Sequence, residues 1–99
     1  VVKGVTKSGI KFQLDSKIKD DTRLLLLMTM AQKYDPEDKE SMVKANDAMM
    51  NLLTLIFGTD ENVLEFMNEV AVKHKGVCDA KHMIAELNEM FDAIKGKNS

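Results

Sequence analysis

Cysteine is nearly absent: Cys78 stands alone in 99 residues. No disulfide can close within the chain, a usage that suits a reducing compartment such as the cytoplasm. Tryptophan is missing altogether, and four Phe and one Tyr are the only aromatics, too few for a platform on which nucleic-acid bases would stack. An excess of one charge is lacking too. The net charge is −2 with both signs interspersed, so neither nucleic acid nor an anionic membrane finds a field to follow. The one basic end, Lys3, Lys7 and Lys11 with no acid before Asp15, reads as the solvated side of a strand. No apolar run approaches the ~20 residues of a membrane span, and no signal peptide is legible. Glycine-rich phosphate loops, HExxH and GxSxG are all missing. No catalytic residue and no cofactor is expected, and the chain reads as non-enzymatic.

What is present is methionine and leucine. Eight Met are many for one small domain. Met fills gaps in helical cores, and it is also over-used on surfaces that adapt to varied apolar partners. A chain of this length forms a single domain, 1–99, with one modest core.

Residues 10–14 alternate Ile10, Phe12 and Leu14 against Lys11 and Gln13, and Ser8-Gly9 before them suits a tight turn. A hairpin over 2–7 and 10–14 is predicted, the 1–14 β element, whose apolar face must lie on helices because two strands alone are marginal. Four helices follow over 20–95. The first, "KDDTRLLLLMTMAQK", is capped by Asp20 or Asp21 and ends on Lys33. In the second, Asp35 is expected to cap with Pro36 at the first helical position; it runs to Phe57 and stops at Gly58. The third is capped by Thr59 or Asp60 and stops at Gly76; the fourth starts after Asp79 and stops at Gly96, leaving 96–99 as a flexible tail. The fold class is mainly α, with a short N-terminal β-hairpin.

The helix faces carry the functional question. The last helix is cleanly amphipathic: Ala80, Met83, Ile84, Leu87, Met90, Phe91 and Ile94 share one side. The third has one stripe, Val63, Phe66, Met67 and Val70. The second has a main stripe, Met42, Ala45, Met49, Leu52, Leu53 and Ile56, and beside it a second line, Val43, Met50 and Phe57. The first has Leu24, Leu27, Met28 and Ala31 with Leu26 and Met30 left over. The four leucines predict that helix one is central, covered by helices two and four and by the hairpin. Leu26, Met30, Val43, Met50 and Phe57 are then surplus apolar surface, expected to be less buried and to form a partner or oligomer interface.

His74, Cys78 and His82 are spaced by four, as soft-metal ligands on one helix would be. Gly76 and the cap at Asp79 break that helix and no fourth ligand is apparent, so no metal site is expected. His74 reads as a helix-end residue and His82 as a first-turn surface residue. Cys78 with His82 reads as a solvated pair rather than a nucleophile and its base. Asp60, Glu61, Glu65 and Glu69 gather acids along helix three, a solvated face or a contact for a basic partner.

The order of features over residues 8–95 resembles the tail assembly chaperones of long-tailed bacteriophages and their prophages. The resemblance rests on the strand "SGIKFQLD", the acid pair entering the apolar helix "IKDDTRLLLLMTMA", the segment "LLTLIFGTDENVLEFM" and the closing helix "MIAELNEMFDAI". Where many relatives carry an aromatic after the acid pair, Thr22 and Arg23 stand here. The resemblance implies a non-enzymatic factor in the cytoplasm of the bacterial host that coats the helical tape-measure protein while tail-tube subunits polymerise, and that is absent from the mature virion. It also implies a longer, frameshifted product whose added domain engages the tail-tube protein. "AIKGKNS" can be encoded with a slippery heptanucleotide, and the same residues equally read as a helix stop. Neither nucleic acid nor membrane is an expected partner. Two other readings stand beside it: a small phage-encoded regulatory or inhibitory binder using its acidic face as a nucleic-acid mimic, and a client-free homodimer.

Overall fold

The structure, a computed structural model, describes residues 1–33 and 35–97. Strands β1 (Val2–Val5) and β2 (Lys11–Leu14) pair antiparallel, with Val2 opposite Leu14 and Gly4 opposite Phe12. The Thr6 N–H donates to the Ile10 carbonyl, and Gly9 takes φ +101° in the turn. Period-two patterning works as read: Val2, Ile10, Phe12 and Leu14 are buried, and Lys3, Lys11 and Gln13 face outward. A short 3-10 turn over Ser16–Asp20, held by Asp15, leads into the helices; the sequence reading placed nothing there.

The helices are α1 (Thr22–Gln32), α2 (Lys39–Phe57), α3 (Asp60–Lys73) and α4 (Ala80–Lys97). Each begins on a side chain that accepts a hydrogen bond from an early backbone N–H: Asp21, Asp38, Thr59 and Asp79. Such a cap is worth about 1 kcal/mol. The expected cap on α2 was Asp35, and it is displaced. Asp35 holds a turn over Pro36 by accepting from the Glu37 N–H, and the helix starts three residues after Pro36, with Asp38 as cap. Two good capping acids in "DPED" compete, and the later one leaves Pro36 in the turn, a position it also favours. Gly58 ends α2 at φ +88°. His74 ends α3, and the Gly76 N–H reaches back to the Ala71 carbonyl. Gly96 is no stop: α4 continues through it to Lys97, and positions 98–99 of the expected tail lie outside the described residues.

Leu52, Leu53, Val70, Leu87 and Met90 are fully buried at the centre, joined by Val63, Phe66, Ile94 and the inner face of the hairpin. The core therefore belongs to α2, α3, α4 and the sheet. α1 is not central. It lies chiefly along α2, and only Met28 and Ala31 are buried on it. Leu24 and Leu27 are half-buried, while Leu25 and Leu26 stand in solvent. The physical reason is length and neighbours. An 11-residue helix packed chiefly on α2 covers one stripe, and α4 only borders a second side, where it leaves grooves. Among the described residues, no helix is long and apolar enough to cross a membrane.

Candidate partner-binding surface

The surplus apolar rows can be placed by counting around each helix at about 100° per residue. On α1, Met28 and Ala31 mark the inward side, and Leu26 and Met30 fall nearly opposite. On α2, Ala45, Ala48, Met49, Leu52 and Leu53 face in, and Val43 and Met50 fall far round. Exposure follows: Leu26 is 59 %, Met30 43 %, Val43 66 % and Met50 44 % exposed. Leu26 also lines a shallow groove of about 570 Å³ with Leu27 of α1 and Asn51, Thr54 and Leu55 of α2. Within it Thr54 donates its hydroxyl to the Met50 carbonyl one turn back. That bond satisfies the polar group inside its own helix, so the position presents less unsatisfied polarity to a partner. Two of the charges nearby are paired, Arg23 at 2.6 Å from Asp21 and Lys44 at 3.7 Å from Glu40, while Asp47 stands exposed between Val43 and Met50. The hydrogen bonds from the Arg23 side chain and backbone hold the Asp21 carboxyl at about 2.

Phe57 falls on the same row of α2 by that count but is less open than Val43 and Met50. It is half-buried and stacks on Phe66, ring centroids 4.7 Å apart, tying the end of α2 to α3. Two further apolar side chains of α1 and α2 are exposed, one assigned to a buried stripe and one assigned to none. Met42, assigned to the main stripe of α2, is 39 % exposed because the N-terminal turn of α2 extends past the core; Leu25 is 75 % exposed. Leu25 lies about 90° round α1 from the inward side, a position a wheel count could have flagged.

Sequence reasoning missed one buried polar cluster. Glu86 of α4 is 2 % exposed. Its Oε1 accepts from the hydroxyls of Thr6 (2.6 Å) and Ser8 (2.8 Å), and its Oε2 lies 3.2 Å from His74 Nε2. The His74 ring stacks on His82 at 4.1 Å. His82 is thus half-buried rather than a surface residue, and its Nδ1 lies 2.8 Å from the Asp79 carboxylate without an aligned hydrogen bond. Burial pushes the Glu86 carboxyl up, and the bonds from Thr6, Ser8 and His74 together outweigh it and leave it below the ordinary value. The cluster joins the hairpin turn to α3 and α4. Cys78 is partly buried, and that burial, then Asp79, pushes its thiol up, away from the reactive thiolate. Among the described residues, no group of three His, Cys, Asp or Glu is placed to hold a metal ion.

Compared with protein-family models, curated proteins and solved structures, the chain matches none. Of the acids along α3, Asp60, Glu61 and Glu65 are exposed and Glu69 is half-buried.

Proposed function

We propose that this chain is a non-enzymatic tail assembly chaperone that binds apolar helical segments of a phage tape-measure protein. The observation that carries the reading is the exposure of Leu26 and Met30 on α1 together with Val43 and Met50 on α2. An amphipathic client helix binds by laying its apolar side on such a surface, and two of the four side chains are adaptable methionines. The resemblance over residues 8–95 supplies the identity of the client. In this reading the chain works in the host cytoplasm and stays out of the mature virion. A longer, frameshifted form would carry the tail-tube contact. Co-expression with a tape-measure fragment tests it. The fragment is expected to co-purify with the wild-type chain and to be lost with Leu26→Lys/Met50→Lys, the helical circular-dichroism signal being kept. A fragment that is never retained, or is retained equally by the double variant, overturns the reading.

A further inference from the structure

The surface offered to a client helix holds one charge that the chain leaves unanswered. Asp47 of α2 is exposed, and among the described residues no cation pairs with its carboxylate. It lies about 40° round the helix from Val43 on one side and about 40° from Asn51 on the other. Met50 falls on the Val43 side, and Asn51 lines the groove with Leu26 and Leu27 of α1. The acid therefore stands between the apolar row of α2 and α1. Resting on the client-binding function proposed above, we propose that Asp47 selects the client: an amphipathic helix with a lysine or arginine inside its apolar stripe is taken in preference to one whose stripe is unbroken or holds an acid.

Desolvation makes the choice. A helix laid across both rows covers the strip between them and strips water from the groups there. Thr54, nearly in line with Asp47, already donates its hydroxyl to the Met50 carbonyl. Asp47 has no such outlet, and a covered carboxylate without a partner is strongly unfavourable. A client cation removes that penalty, and its long stem can lie on Val43 and Met50 while its head reaches the acid. The chain itself supplies no substitute. Lys44, three residues before Asp47, is turned to Glu40 at 3.7 Å, and Arg23 is held by Asp21 at 2.6 Å. From Leu24 to Gln32 α1 carries no charge. Lys39 is exposed but stands two turns earlier, ~12 Å along the axis.

Synthetic amphipathic helices identical except for Lys, Gln or Glu at the centre of a leucine stripe test this, titrated against the full chain by fluorescence anisotropy. The Lys peptide is expected to bind about tenfold more tightly than the Glu peptide at low salt, with Gln between, and the gap to close as salt rises. Asp47→Asn should shrink the gap to about twofold or less, and Asp47→Lys should reverse the order. Both substitutions lie on the outer side of α2, and an unchanged helical circular-dichroism signal checks the fold. Equal binding of all the peptides, or a Lys preference that survives Asp47→Asn, overturns the selectivity and leaves the client surface standing. Failure of every peptide to bind, or equal binding to Leu26→Lys/Met50→Lys, overturns the selectivity and the client surface together.

Discussion

The Thr6 hydroxyl donates to Glu86 Oε1 at 2.6 Å across 80 positions of sequence. The same Thr6 oxygen accepts from the Ile10 N–H at 3.1 Å, so one side chain closes the hairpin turn and fastens it to α4. Thr6→Val should cost about 1–3 kcal/mol, because the Ile10 N–H and one Glu86 oxygen lose a buried partner. Urea unfolding measures it; a change below a few tenths would mean that Ser8 and water replace Thr6 fully.

Glu86 also sets an acid dependence. Its folded pKa lies below the ordinary 4.5, so its contribution is complete above that value and is lost as pH falls through the lower, folded one. The stability gap between wild type and Glu86→Gln should be constant from neutral pH to about 5 and narrow below it. A gap that widens on acidification would contradict the hydrogen-bonding account.

Phe57 and Met50 should part company. Phe57→Ala removes a stacked, half-buried ring and is expected to cost about 1–3 kcal/mol, less than the ~3–5 of a fully buried Phe. Met50→Lys lies on the open surface and should move stability by no more than about 0.5 kcal/mol. Thermal melts of the two variants decide it, and equal losses would place Met50 in the core.

A side chain at Gly4 would meet the Phe12 ring. A Cβ there would stand 2.7 Å from Phe12 Cζ, and the ring must shift within a packed face. Gly4→Ala should destabilise by about 1–3 kcal/mol, and Gly4→Ala/Phe12→Leu should recover part of it. If Gly4→Ala melts like the wild type, the ring does not cover that strand.

Cys78 should be dispensable. Cys78→Ser, or a chelator added to the wild type, is expected to leave the melting temperature nearly unchanged. Alkylation at neutral pH should run slower than for a free thiol, since burial keeps the sulfur protonated. A large loss of stability on chelation would reveal a metal coupled to folding.

The local grammar of this chain was readable because it is local. Thr59 and Asp79 cap, Gly58 stops, and the stripe of α4 turns inward, each decided within a few residues. Asp35 was misread because "DPED" offers two caps, and the choice depends on how the turn packs. α1 was misread for a deeper reason. Hydrophobic pattern reports what a helix could bury, and four leucines look alike whether the neighbours cover them or not. Leu26 and Met30 are exposed as expected, and Leu25, about 90° from the inward side, could have been set apart by the same count. Glu86 was invisible, since nothing in the spacing of Thr6, Ser8, His74 and Glu86 joins residues from three elements.

The joining of the hairpin turn to Glu86 and Glu89 bears on how the chain is made. Chains emerge from the ribosome N-terminus first, and residues 2–14 can pair as soon as they appear. Their inner face, Val2, Ile10, Phe12 and Leu14, then has nothing to lie on, and the Glu86 carboxylate that holds the turn is made 80 positions after Thr6. The hairpin is therefore born early and seated late, and while α4 is still unmade it is the most aggregation-exposed part of the nascent molecule.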